Sequence, residues 1–223
     1  EPDMHTSLSR MRPLIVLGMI ALAACQPTDK NQTPTGVVAK AMDEAAKGLG
    51  EASQEMDKAR EEIATARDRL ARENISLNRN EKQHLPKAEI TPAGDLLIEG
   101  KAVATTPEQK ALVLAYRGEL LGVVGDGMAI GMEGARVGID AAASALKGVL
   151  AGQDGDQIGK QVGEQAKAKI QPMVAQLCTR LPGLLSAQQA LSAALPEFAP
   201  YATMDQADVD DCGDANGDGN WTF

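Results

Sequence analysis

From Val38 onward, apolar residues recur at alternating spacings of four and three: Val38, Met42, Ala45, Leu49, Ala52, Met56, Ala59, Ile63, Ala66 and Leu70. This is a heptad seam, and it predicts one helix over residues 37–75 in which Met42, Leu49, Met56, Ile63 and Leu70 alternate with small alanines. Alanine at every second seam position lets a partner helix approach closely. On the outer faces, Asp43 with Lys47 and Asp68 with Arg72 stand at favourable i, i+4 spacings. Such a helix is built to pair, either with the glycine-rich helices downstream in its own chain or with a second copy of itself in a homo-oligomer.

After a polar connection at Asn74–Pro86, the pattern shortens. Apolar runs within Ala88–Val103 are broken by Pro92-Ala93-Gly94-Asp95 and Glu99-Gly100, which predicts two or three short antiparallel strands. Thr106-Pro107-Glu108-Gln109 then supplies an N-cap, a proline at the first helical position and the glutamine of a capping box, so a long helix begins there. Its glycines stand four apart as Gly118 and Gly122, Gly127 and Gly131, and Gly134 and Gly138, which calls for close backbone contact or a bend, with Gly125-Asp126-Gly127 the expected kink. Beyond the break at Gly152-Gln153-Asp154-Gly155, Ile158, Val162, Ala166, Ile170, Val174, Leu177 and Leu181 mark another amphipathic helix, bent near Pro172 and ending at Pro182-Gly183. Ser186 and Gln189 open a last short helix that Pro196 closes. The fold class is therefore mainly α: long helices packed as a bundle, with a small antiparallel β-hairpin or meander and an extended acidic C-terminal tail. Residues 86–195 form the hairpin and helical body, and 196–223 the tail.

Composition narrows this further. With one Trp, two Tyr and two Phe in 223 residues, Ala, Leu, Val and Met must fill the core, which suits closely packed helices and argues against an all-β domain. The 22 Lys and Arg against 31 Asp and Glu give a net charge of −9, and no basic footprint for nucleic acid exists. The imbalance sits at the end of the chain: after Arg180 there is no Lys or Arg, while Glu197, Asp205, Asp208, Asp210, Asp211, Asp214 and Asp218 all follow. A membrane-inserted reading of the glycine-rich helix is opposed by Asp126, Glu133, Arg136 and Asp140 near its middle.

Upstream, Met11-Arg12-Pro13 precedes an apolar run from Leu14 that ends in Leu22-Ala23-Ala24-Cys25. A basic residue, a short apolar run and a small-residue ending predict a secretory signal over residues 1–24, too short to span a bilayer. The last four residues resemble the lipobox of bacterial lipoproteins, which implies that Cys25 is acylated and anchors the chain to a membrane, with residues 25–36 as a flexible tether. Gln26 is not the aspartate that commonly retains such proteins at the inner membrane, so the periplasmic face of the outer membrane is the expected location. With Cys25 assigned to lipid, Cys178 and Cys212 are left in an oxidising compartment and are expected to form a disulfide.

The stretch from Ile90-Thr91-Pro92-Ala93-Gly94-Asp95 to Gly100-Lys101-Ala102-Val103, followed by Thr106-Pro107-Glu108-Gln109 and Tyr116-Arg117, resembles the YggN-like family of Gram-negative periplasmic proteins. The resemblance covers the central segment, about residues 88–150, and implies a location, not a chemistry.

Few residues offer catalysis. Past the leader the one histidine is His84, in a polar connector, so the usual Ser-His-Asp, Cys-His and zinc-hydrolase sets lack their parts. No cofactor is expected. Asp214-Ala215-Asn216-Gly217-Asp218-Gly219 matches the opening of a calcium loop, with Asp214, Asn216 and Asp218 as the metal ligands, but the chain given stops short of the twelfth-position carboxylate. Calcium held there would bind weakly. The sequence thus points to a non-enzymatic periplasmic lipoprotein acting in envelope structure or through a protein partner. The competing readings are an immunity or inhibitor lipoprotein against a secreted antibacterial toxin, and a cell-envelope hydrolase.

Overall fold

A computed structural model describes residues 34–77 and 85–213. Helix α1 (Pro34–Arg72) is followed by β1 (Ile75–Ser76), β2 (Ala88–Ile90), β3 (Leu96–Ile98), β4 (Lys101–Ala102), α2 (Pro107–Leu150), α3 (Gly155–Ala194), a 3-10 turn at Ala199–Tyr201 and α4 (Gln206–Asp210). This is the mainly helical fold with a small antiparallel sheet that the hydrophobic pattern predicts.

The heptad seam is legible in the burial of α1. From Ala45 to Arg72, every position that is not exposed belongs to the seam: Leu49, Ala52, Met56, Ala59, Ile63, Ala66 and Leu70. The second half of the helix lies antiparallel beside α2 within the chain. Arg67 Nη2 donates to the Gly125 carbonyl at 2.6 Å, Arg60 and Ile63 share a groove with Met132 and Arg136, and the last turn meets Arg117. The helix also begins three residues earlier than expected, at Pro34, inside the predicted tether. Proline is tolerated there because the first turn has no intrahelical acceptor for its missing N–H.

The four strands form an antiparallel meander in the order β1-β2-β3-β4. Both predicted turns form. At the first, Asp95 N donates to Thr91 Oγ1 at 3.0 Å and Gly94 takes φ +85°, where a Cβ would come within 2.6 Å of Leu114 Cγ. The Asp95 carboxyl is held below the usual carboxylate range, chiefly by its hydrogen bond from Lys110 Nζ at 2.7 Å. At the second, Glu99 and Gly100 have φ of 51° and 74°, the paired positive values that a two-residue hairpin of the primed type requires. Strand β1 lies in the stretch expected to be a polar connection; Ile75 pairs with Ile90 and Ser76 with Glu89.

Helix α2 carries the predicted capping box: Gln109 N donates to Thr106 Oγ1 at 3.2 Å, and Thr106 N to Gln109 Oε1 at 2.9 Å. It then runs unbroken for 44 residues, about 66 Å, with no interruption at Gly125-Asp126-Gly127. The expected close contacts at its glycines form at only some of them. A Cβ on Gly122 would meet the Arg180 guanidinium at 2.8 Å, and one on Gly148 would meet Ile158 Cδ1 at 2.6 Å. By contrast, Gly127, Gly131, Gly134 and Gly138 are exposed, and nothing among the described residues lies within 4 Å of where their Cβ would stand. Gly131→Ala and Gly134→Ala should therefore each raise stability by about 0.5–1 kcal/mol through backbone entropy alone, read as an upward shift in thermal midpoint.

Helix α3 overturns the predicted stop at Pro182-Gly183. It is one helix from Gly155 to Ala194, and the expected second capping box at Ser186 is an interior turn. Pro172 and Pro182 both lie on its exposed side, where water can reach carbonyls that lose an amide partner. Apolar burial continues past both, through Val174, Leu177, Leu184, Leu185 and Leu191. The N-cap is Asp154, whose carboxylate accepts from Asp156 N at 2.8 Å. The charges that argued against membrane insertion join α2 to α3 or pair along α2: Arg180 Nε with Asp126 at 2.8 Å, Lys169 with Asp140 at 3.3 Å and Arg136 with Glu133 at 3.2 Å. Among the described residues, no helix is long and apolar enough to cross a membrane.

The core gathers where the sheet packs on the start of α2 and the end of α3, around Ile90, Leu96, Val113, Leu191, Leu195 and Phe198. The stretch expected to be acidic tail contributes to it. Phe198 is fully buried and stands edge-to-face with Tyr116, ring centroids 5.1 Å apart. Tyr201 Oη donates to the Pro86 carbonyl at 2.8 Å, and the buried Gln188 amide exchanges two hydrogen bonds with the Met204 backbone. Burial pushes the Tyr201 phenol up from its ordinary value, with the Glu99 charge adding to it.

Candidate functional site

Of the site residues expected from sequence, Cys178 and Cys212 are brought together. They form a disulfide that joins α3 to the segment after α4, with Cα atoms 5.6 Å apart across 34 residues of chain. Cys212→Ser should lower stability by about 3–4 kcal/mol by loop-closure entropy, measured as a fall in urea midpoint that reductant reproduces in the parent chain. Cys25, His84 and the calcium-loop residues Asp214, Asn216 and Asp218 lie outside the described residues. Three carboxylates shortly before that loop have local roles. Asp205 caps α4 by accepting from Ala207 N and Asp208 N, Asp208 accepts from Asp205 N, and Asp210 from Gln206. Among the described residues, no group of three or more His, Cys, Asp or Glu side chains is placed to hold a metal.

The chemistry-bearing residue that sequence reading passed over is Arg117. It is 4% exposed, and its guanidinium donates to four carbonyls: Leu70 at 2.7 Å, Ala71 at 3.1 Å and Glu73 at 2.9 Å at the end of α1, and Ile90 at 3.1 Å in β2. Helix C-termini leave carbonyls without amide partners and carry partial negative charge, so a cation there is doubly favoured. Burial lowers its pKa from the ordinary value, yet an arginine stays protonated across the physiological range. Its role is to lock α1, the sheet and α2 together.

Two concave regions remain. The first, about 210 Å3, is apolar and lies between the end of α1, β1, α2, α3 and Met204, with Leu70, Leu77, Leu121, Val124 and Leu184 among its walls. The second, about 350 Å3, is a groove between α1, α2 and α3. Its lining includes three methionines, Met128, Met132 and Met173, three arginines, Arg60, Arg67 and Arg136, and a single carboxylate, Glu133. Arg60 pairs with Asp57 at 3.1 Å and Arg136 with Glu133, whereas the partner of Arg67 is a neutral carbonyl. Neither region brings two carboxylates together. No family model, curated protein or solved structure matches the chain.

Proposed function

We propose that this chain is a non-enzymatic lipoprotein, held by an acylated Cys25 on the periplasmic face of the outer membrane, whose helical body acts in envelope structure or binds a protein partner. The observation that carries the reading is the Cys178–Cys212 disulfide. It takes up both downstream cysteines and leaves Cys25 as the one thiol for lipid, behind Leu22-Ala23-Ala24. A bond of this kind persists in oxidising compartments and is rare in the cytosol, which agrees with export by the leader. The resemblance to the YggN-like periplasmic family supports the same location. A body built of helices without a membrane span among the described residues is compatible with anchoring by lipid, since two or more acyl chains hold a protein stably where one does not.

The test is expression of the full chain in a Gram-negative host fed an alkyne-tagged fatty acid. Label should enter the mature chain, and Cys25→Ser should abolish it and release the protein from the membrane fraction. Recovery of Cys25 as a free thiol in the mature protein, or of the parent chain in the cytosol, overturns the proposal.

A further inference from the structure

We propose that the groove between the second half of α1, the middle of α2 and α3 binds a single-chain anionic amphiphile, a long-chain carboxylate, with its headgroup at Arg67 and its hydrocarbon along Met128, Met132 and Met173. Three features select this occupant. The groove's apolar lining includes three methionines, whose flexible thioether chains adapt to an irregular or mobile apolar ligand. Of the three guanidinium groups that line the groove, Arg60 pairs with Asp57 and Arg136 with Glu133, which leaves the positive charge of Arg67 without a carboxylate partner among the described residues, in a chain whose net charge is −9. Arg67 holds its place through the Gly125 carbonyl at 2.6 Å and forms no ion pair among the described residues, so its remaining donors can meet a carboxylate in the planar, forked geometry that favours Arg over Lys.

Size and charge argue against an acidic protein segment. The α1 wall extends from Arg60 to Arg67, about two turns or roughly 10 Å, which is short for seating a partner helix. A polyanionic partner would also face the repulsion of the whole chain, whereas a monoanion with a long tail draws its binding from buried apolar surface. The groove, at about 350 Å3, falls at the lower end of small-ligand sites, which run from about 300 to 1,000 Å3.

The experiment is calorimetric titration of the full, disulfide-bonded chain with sodium laurate below its micelle-forming concentration, and with dodecanol as the uncharged partner of equal length. Laurate should saturate one site and bind at least about tenfold more tightly than dodecanol, the size of effect one charge-assisted hydrogen-bonded pair supplies. Arg67→Glu, with helicity and disulfide intact, should weaken laurate by about tenfold or more, and Arg67→Lys should restore part of the loss. The proposal is overturned by absence of saturable laurate binding, by equal affinity for the two ligands, or by a folded Arg67→Glu chain that binds as the parent does. Laurate binding that emerges only after Trp221→Ser and Phe223→Ser would assign the groove to the chain's own C-terminal residues and also overturn it. Because the laurate and dodecanol comparison needs no variant, it decides the matter even if Arg67→Glu fails to fold.

Discussion

Arg117→Ala should destabilise the fold by about 3–5 kcal/mol, a large share of the roughly 5–15 kcal/mol that holds an ordinary domain together. The deletion does more than remove hydrogen bonds. It leaves the carbonyls of Leu70, Ala71, Glu73 and Ile90 without their common donor, and a buried polar group without a partner costs about 1–3 kcal/mol where water cannot replace it. Arg117→Lys keeps the charge but offers a compact ammonium in place of a planar fork, so it should lose about 1–3 kcal/mol. Urea unfolding at unchanged m-value measures both. Amide exchange at Leu77, whose N–H donates to the Ala88 carbonyl, adds a local readout: its protection should fall in step with global stability, because the guanidinium joins the end of α1 to β2. A folded Arg117→Ala chain within about 1 kcal/mol of the parent would show that water takes over those carbonyls.

How legible these features were in the sequence depended on whether their determinants were local. The heptad seam, the Thr106 capping box, both hairpin turns and the Asp154 break are set by residues within a few positions of one another, and each stands where the pattern placed it. Strand β1 was invisible because two residues carry no period; Ile75 and Ser76 are extended only by pairing with Ile90 and Glu89, more than ten residues away. Pro182-Gly183 misled for the converse reason. A strong local stop signal was overridden by an apolar register that runs on through Leu184, Leu185 and Leu191, with both helix prolines turned toward solvent. The glycines of α2 show a further limit: spacing alone could not tell Gly122, which admits the Arg180 side chain, from Gly131 and Gly134, whose Cβ positions meet nothing among the described residues.

For the candidate sites the same division holds. The disulfide was readable by counting cysteines, since only two remained once Cys25 was assigned to lipid. The methionine and arginine groove was not, because it assembles from three helices. In the sequence its residues are merely seam positions and surface charges. Arg117 did carry a signal. It is the one cation in the apolar stretch from Ala111 to Gly118, and a charge on a buried helix face needs a partner supplied from elsewhere in the fold. The turn and cap residues between Ile90 and Arg117 are structural ones: Gly94 and Asp95 shape a turn, Gln109 caps α2 and donates to the Ala194 carbonyl at 2.6 Å, Tyr116 packs on Phe198 and Arg117 ties the end of α1. A motif made of fold determinants carries architecture, which is why it offered no catalytic residue.

Phe198→Ala should cost about 3–5 kcal/mol, the range for truncating a fully buried aromatic ring. This separates the observed fold from the acidic tail expected from sequence, because a substitution in a solvated tail changes stability by under about 0.5 kcal/mol. The ring is enclosed where α2, α3 and the 3-10 turn meet, and its edge-to-face contact with Tyr116 adds about 0.5–1.5 kcal/mol beyond area burial. A double-mutant cycle with Tyr116→Leu should return that coupling. Phe198→Leu refills most of the cavity and should lose only about 1–2 kcal/mol. With five aromatic residues in the whole chain, the two Tyr and one Phe that meet here supply the largest side chains of an otherwise aliphatic core. The folding unit therefore has to extend past Leu195 to include them. Thermal unfolding of Phe198→Ala is the direct check: a midpoint unchanged from the parent would return residues 196–213 to the solvent and remove the anchor that the Cys178–Cys212 bond reinforces.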